Sequence, residues 1–362
     1  MAAAKTMTAF VMKGIGQAAF MEKPIPTKPG PNDAIIKTTR ALVCTSDIHT
    51  IKGAIGDRKD LTFGHEPVGV VHELGSAVTT VKVGDRVAVN AITPCYKCVN
   101  CQRGYTSQCT APLSGWKMAN IKDGCFAEYF HVNDAEANLA LIPDSISDDV
   151  AVYATDMMST GFMAAEHANI PLGGSVAVFA QGPIGLMATV GARLLGAGLI
   201  IGIDTIPNRL KLSKHFGADV VLDYKKVDVV AEILKLTGGQ GVDSAIEALG
   251  HQTTFENCIK VTRPGGTISN VGYWGIESQC LEGDYVGIPR ADWGVGMADK
   301  TIRTGLCPGG KERMSRLLRL IENGRVDPSP LTTHRFPFAE MAKAFHMMET
   351  KADGIIKPLI IF

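Results

Sequence analysis

Neither sign of charge predominates in this chain: 36 Lys and Arg stand against 36 Asp and Glu, a formal net charge of zero. No basic block or acidic tail breaks the balance, which argues against nucleic acid or an anionic membrane as the main partner. Long apolar runs are missing as well. Gly or Pro interrupts each one well short of the roughly 20 residues that cross a bilayer, so no membrane partner is expected. The opening MAAAKTMTAF lacks the extended apolar core of a secretion signal, and the expectation is a cytoplasmic protein. Internal repeats and low-complexity segments are absent. So is an even set of cysteines of the kind that staples a small secreted domain: there are nine, several of them bunched, in 362 residues. In a large cytosolic chain that usage favours metal binding over disulfides.

The length suggests two domains, and 46% hydrophobic residues with 39 glycines suit an α/β protein rich in strand-to-helix turns. Residues 1 to about 155 carry short β-type runs (DAIIKTT, PVGVVHEL, DRVAVNA, AEYFHV) punctuated by Gly, Pro and Asp, which predicts an irregular, mostly β domain. The texture changes after Asp156. SVAVFA (175–180), LIIGID (199–204), DVVLDY, VDSAIEAL and GGTISNVG read as strands, and amphipathic segments at 183–197, 207–218 and near 227–237 read as helices. This alternation predicts a parallel sheet wound on both faces. A further helix, KERMSRLLRLIENG, and a final apolar run, GIIKPLIIF, follow GLCPGG (305–310).

The first strand, turn and helix of that second region read VAVFAQGPIGLM. Gly182 lets a backbone approach a pyrophosphate, Gly185 lets helix and strand pack closely, and Pro183 suits a first helical position. The turn from Gln181 through Ile184 to Gly185 is therefore a candidate anion site at a helix N-terminus. Ala180 stands where the first glycine of the pattern falls, which alanine tolerates if φ there is negative. Asp204 ends the second strand, 22 residues beyond Gly182. There a carboxylate can take the hydroxyls of an adenosine ribose, which favours NAD over NADP.

CYKCVNCQRGYTSQC places Cys95, Cys98, Cys101 and Cys109 at C-x2-C-x2-C-x7-C. Four thiolates from one short lobe can close a tetrahedron around a structural zinc. An iron–sulfur cluster also uses the opening C-x2-C-x2-C, although the long last gap and the lack of a second cysteine group weigh against it. A second set is less compact. CTSDIHT brings Cys44, Ser46 and His49 together, FGHEPVG offers His65 and Glu66, and TDMMSTGF offers Asp156 just before a helix. A catalytic zinc needs three protein ligands and an open position. A lone His and an Asp at a helix start are more often a core histidine and an N-cap, and a ligand set scattered this far does not follow from spacing.

GHEPVG, GDRVAV, the four-cysteine lobe and the turn at 180–185 occur in the order seen in zinc-dependent medium-chain alcohol dehydrogenases. The chain most resembles the secondary-alcohol members of that family. CTSDIHT, AITP, GWK, KDGCFAEYFHVNDA, DMMSTGF, GLCPGG and IIKPLIIF look like theirs along nearly the whole length. The resemblance implies an α/β fold with a Rossmann dinucleotide-binding domain at 160–306 and a mostly β, GroES-like catalytic domain. The latter spans 1–159 and 307–362, with the structural-zinc lobe near 93–112. It implies that Cys44, His65 and Asp156 hold a catalytic zinc, that Glu66 can coordinate when substrate is absent, and that Ser46 and His49 relay a proton. Ile55, Ala91, Trp116, Met297 and Leu306 match substrate-pocket positions. Arg209, Tyr224, Val271–Gly272–Tyr273 and Lys357 match cofactor contacts. Cys125, Cys258, Cys280 and Cys307 have no assigned role and are read as buried small hydrophobes.

The expected reaction is hydride transfer between a small secondary alcohol or ketone and NAD in a homotetramer carrying two zincs per chain. Two departures from the best-known bacterial members stand out. Some of those lack the four structural cysteines. Some carry small and basic residues for an NADP phosphate where this chain has Asp204, Thr205 and Ile206. Other readings are a polyol or aldehyde-adduct dehydrogenase, which a mainly apolar pocket disfavours, and a non-enzymatic zinc-lobe protein, which the zero net charge, the nucleotide turn and the separate His/Cys/Asp set disfavour.

Overall fold

The computed structural model describes residues 5–275 and 278–362. The chain folds as two compact units, Met1–Ser159 with Cys307–Phe362 and Thr160–Leu306.

In the first unit, apolar residues recur in short runs that pair mainly antiparallel. Ala34–Leu42 is the hub, pairing with Pro67–Leu74, Tyr129–Val132 and Lys357–Ile361. The seven-stranded sheet continues through Arg86–Val89 to Leu139–Leu141 on one side and ends at Thr332–Pro337 on the other. The strand Thr332–Pro337 runs parallel to its neighbour, the one parallel pair in this sheet among the described residues. A hairpin of Thr6–Gly14 and Gln17–Pro24 packs beside it. Phe10, Phe63, Phe126 and Phe345 converge in the core, with Phe10 and Phe345 edge to face at 5.0 Å. Such aromatic pairs contribute about 0.5–1.5 kcal/mol beyond their buried area.

The second unit realises the predicted alternation. Ser175–Phe179, Leu199–Asp204, Val220–Asp223, Val242–Glu247, Thr262–Asn270 and Thr301–Thr304 form one sheet. All its pairings are parallel. Numbered in chain order, the strands lie 3-2-1-4-5-6, the dinucleotide-fold order with its switch point beside the first strand. Helices Pro183–Leu194 and Pro207–Phe216 each begin with Pro at the first turn, where its missing N–H costs nothing. No helix among the described residues is long and apolar enough to cross a membrane.

The condition under which alanine is tolerated at 180 is not met: Ala180 sits at φ 72, the left-handed region where glycine would be unstrained. The turn is held there by Ala180 N–H donating to Ile203 O at 2.9 Å. Gly185 is obligatory opposite, because a Cβ on it would lie 1.8 Å from the Ala180 carbonyl oxygen.

Candidate active site and metal centres

Cys44 is the N-cap of the helix Thr45–Ile51, which carries Ser46 and His49 on its first two turns. The cap is reciprocal, with the Asp47 carboxylate accepting the Cys44 N–H at 2.9 Å. Asp47 is buried, and its other oxygen accepts the Gly64 N–H at 3.3 Å and faces His65 Nδ1 at 3.4 Å. That contact sets the imidazole so that Nε2 points away from Asp47. On the Nε2 side stand Ser46 Oγ at 3.2 Å and Asp156 Oδ2 at 3.8 Å. Asp156 arrives from the residue before the helix Met157–His167.

The residues scattered in sequence thus meet. Cys44, His65, Glu66 and Asp156 each offer one ligand atom, and these atoms lie within 4.8 Å of one another. Glu66 is fully buried, and its Oε1 accepts from Lys357 Nζ at 2.7 Å. Its Oε2 is buried and has no hydrogen-bond partner. An orphaned buried carboxylate oxygen beside a thiol, an imidazole and a second carboxylate fits a dication. Burial, above all, pushes the Glu66 carboxyl up; Lys357 pulls it down and Asp156 pushes it up again. Burial pulls His65 down, but Asp47 and Cys44 outweigh it and hold the imidazole well above its usual value in the metal-free protein.

Lys357, expected among the cofactor contacts, is 1% exposed and ion-paired with Glu66. Burial opposes its charge, but Glu66 and Cys44 more than offset that. The final strand thus delivers a cation to the buried Glu66 carboxylate, and that ion pair is the contact the structure gives Lys357.

The four-cysteine lobe closes on itself. The ligand sulfurs of Cys95, Cys98, Cys101 and Cys109 also lie within 4.8 Å of one another. All are free thiols. The N–H groups of Lys97 and Cys98 donate to Cys95 Sγ, and that of Cys95 to Cys109 Sγ, each at 3.4 Å. Without metal the thiols cannot ionise together. Burial pushes Cys101 up to about 12, while N–H groups of Cys101 and Thr110 hold Cys98 down at about 5. A tetrahedral dication resolves that conflict. Lys117 Nζ ties the lobe by donating to the carbonyls of Cys109, Ala111 and Ser114.

In the second unit the nucleotide-fold residues gather at the C-terminal edge of the sheet. Gly182 caps the helix Pro183–Leu194, and a Cβ on it would meet only Arg209 Nη1, at 3.9 Å. The Asp204 carboxylate accepts N–H groups of Gln181 (2.8 Å), Thr205 (2.7 Å) and Ile206 (3.0 Å). Arg209 stands 3.6 Å from it. Tyr224 is exposed just after the strand Val220–Asp223 and Tyr273 just after Thr262–Asn270, with three strands between them in the sheet order, and Val271 and Gly272 are half-buried. The Gln181 side chain is buried, donating to Val178 O and accepting from Thr189.

Of the pocket candidates, Ile55 (half-buried), Ala91 (buried) and Trp116 (exposed) belong to the first unit, whereas Met297 and Leu306 are exposed residues of the second. Of the unassigned thiols, Cys125, Cys258 and Cys307 are buried as expected, but Cys280 is half-buried. Sequence reasoning missed Asp47, although it lies inside CTSDIHT, three residues after Cys44 at the spacing of a reciprocal cap.

Known proteins resemble this chain along nearly its whole length. The family model described as "Alcohol dehydrogenase GroES-like domain" matches residues 30–144, and that described as "Zinc-binding dehydrogenase" matches residues 183–323. An NADP-dependent isopropanol dehydrogenase of Thermoanaerobacter brockii is 48% identical over 98% of this chain and 99% of its own. One from Entamoeba histolytica is 46% identical over 98% and 96%. The solved structure of a zinc-dependent alcohol dehydrogenase from Streptococcus pneumonia superposes with a TM-score of 0.88 at 30% identity, covering 98% of each chain.

Proposed function

Because the chain belongs to the zinc-dependent medium-chain alcohol dehydrogenases, in their secondary-alcohol branch, we propose that it interconverts small secondary alcohols and ketones, with NAD as hydride carrier. The observation that carries the reading is the convergence of Cys44, His65, Glu66 and Asp156 around a buried, unpartnered carboxylate oxygen. Zinc bound there supplies a Lewis acid toward an alcohol oxygen.

The protein's own groups do the rest. Cys44, His65 and Asp156 are the holding ligands, Asp47 orients His65, and Lys357 restrains Glu66. Ser46 Oγ, 3.2 Å from His65 Nε2, is placed to take the alcohol proton. His49, three residues along the same helix, passes it outward. Cys95, Cys98, Cys101 and Cys109 hold a second, structural zinc. In the turn Gln181–Gly182–Pro183–Ile184–Gly185, the N–H groups of Gly182, Ile184 and Gly185 take the cofactor pyrophosphate, with Arg209, Tyr224 and Val271–Gly272–Tyr273 around the rest. Ile55, Ala91, Trp116, Met297 and Leu306 are proposed to line the substrate pocket. Likeness alone supports a homotetramer.

The cofactor choice rests on Asp204. Three N–H groups already engage its carboxylate, which leaves about one of its four acceptor positions for a ribose hydroxyl. Its charge nonetheless remains at the end of the second strand. A 2′-phosphate brought beside it meets like charge; Thr205 and Ile206 offer no cation, and Arg209, 3.6 Å away, already faces that carboxylate. The isopropanol dehydrogenases of Thermoanaerobacter brockii and Entamoeba histolytica are called NADP-dependent, so this residue is where the present chain is proposed to differ. Initial rates with 2-propanol and ethanol, each with NAD and NADP, test the reading. The secondary alcohol with NAD should give the highest kcat/KM. The paired change Asp204→Gly with Ile206→Arg should move preference toward NADP by about a hundredfold. A parent that prefers NADP overturns the role of Asp204, and one that prefers ethanol overturns the substrate class.

A further inference from the structure

The strand Val242–Glu247 lies fourth in chain order in the parallel sheet, between Ser175–Phe179 and Thr262–Asn270. Strands in such sheets are buried on both faces and are normally apolar throughout. Here the last residue is an acid. Glu247 is fully buried, and its carboxylate is bonded to the loop and helix start that follow it. Oε1 accepts the Leu249 N–H at 2.9 Å and the Thr254 hydroxyl at 2.7 Å, and both oxygens accept the Gly250 N–H at 3.0 Å. Consecutive N–H groups in such a turn make a concavity that ordinarily takes an anion. In this chain the protein's own carboxylate fills it. Burial pushes the carboxyl above the usual range, and the donors from Thr254, Gly250 and Leu249 pull against that.

The same residue also holds the neighbouring strand end. Its carbonyl accepts the N–H of Val271 at 2.9 Å and of Gly272 at 3.1 Å. The two segments then lie in direct contact: a Cβ on Gly272 would stand 2.1 Å from Gly250 N and 2.2 Å from Glu247 Oε2. Backbone and side chain of one residue therefore tie the turn 248–250 to Val271–Gly272–Tyr273. Both segments leave the C-terminal edge of the sheet on the far side of the switch point from Asp204, the side that receives the second mononucleotide half of a dinucleotide.

We propose that Glu247 is a positioning residue for the cofactor, a clasp that fixes the wall against which the half of NAD remote from Asp204 is bound. This rests on the cofactor reading under Proposed function. It predicts a cofactor-binding defect with little change in turnover once cofactor saturates. The parent, Glu247→Gln and Thr254→Val are titrated with NADH by tryptophan fluorescence. Trp274, whose Nε1 donates to Asn270 Oδ1 at 3.0 Å, sits beside the clasp as reporter. Steady-state rates with 2-propanol and hydrogen exchange of the peptide spanning 248–254 complete the test.

Glu247→Gln places amide hydrogens against N–H donors. It should raise the Kd for NADH and the KM for NAD by about tenfold or more, with kcat within about threefold. Exchange should quicken at 248–254 and not at 180–185. Thr254→Val deletes one donor, should shift the same quantities by about two- to fivefold, and carries the test if the Gln variant does not fold. A parent that binds NADH with both variants binding equally well overturns the clasp alone. So does a loss of kcat as large as the rise in KM. A parent that binds no dinucleotide overturns the cofactor reading and the clasp with it.

Discussion

Replacing Lys357 by Met deletes the buried cation paired with Glu66 while keeping most of the side-chain volume. The pair is 2.7 Å apart with side-chain exposures of 1% and 0%, so solvent can compensate neither charge. Removing one partner of such a pair typically costs about 3–5 kcal/mol, because the other is left buried and uncompensated. For a unit of this size each kcal/mol moves the melting midpoint by about 2–4 °C, so Lys357→Met should melt about 6–20 °C below the parent. The comparison is made on zinc-stripped protein, since a dication at the adjacent donors would itself compensate Glu66. Glu66→Gln combined with Lys357→Met should recover most of the loss, because replacing both members of a buried pair is often near neutral. Calorimetry of the parent, both single variants and the double closes the cycle. A single Lys357→Met variant melting within about 2 °C of the parent, or a double variant no better than that single, would refute the argument.

Asp156→Ala should abolish 2-propanol oxidation yet leave NADH affinity within about twofold, because the residue stands with the candidate ligands Cys44, His65 and Glu66; retained turnover within about tenfold of the parent contradicts it. Cys109→Ser opens the closed lobe and should lower the melting temperature and release about one zinc per chain, read by metal analysis; unchanged melting with lost turnover would mean the lobe is not structural. Lys122 supplies a pH signature: burial of its amine pulls it down to about 8 from the ordinary 10.5, against the attraction of Asp33 and Asp134. Between those values the unfolded chain holds the proton that the native protein has released, so stability rises with pH. Urea unfolding near pH 7.5 and pH 10 should show the parent gaining on Lys122→Met, and an equal response in both would contradict the shift.

What the sequence disclosed and what it hid follow from the range of the interactions. The strand–helix alternation after residue 175 and the lobe at 95–109 are local patterns, and both appear where expected. The helix Met341–Thr350 was not anticipated, although Met341, Ala344, Phe345 and Met348 are buried at helical spacing. The ion pair of Glu66 and Lys357 spans 291 positions, and no periodicity reports such a contact. The backbone angle at Ala180 is not legible in the residue itself: the turn holds φ positive in a residue that would not choose it. Position placed Gln181 in the cofactor turn, and the direction of its side chain, turned inward to Val178 and Thr189, is a tertiary fact that no local pattern reports.

Under the proposed function, turnover of secondary alcohols depends on the metal held by Cys44, His65 and Asp156, and not on the four-cysteine metal. A chelator should strip the more open site first, leaving about one zinc per chain in the closed lobe. Zinc is then returned in fractions of an equivalent while 2-propanol oxidation with NAD is followed. The expected result is a stripped protein that remains folded and inactive, with activity rising in proportion to the first equivalent returned and then stopping. Full turnover by protein holding only the lobe metal would contradict it.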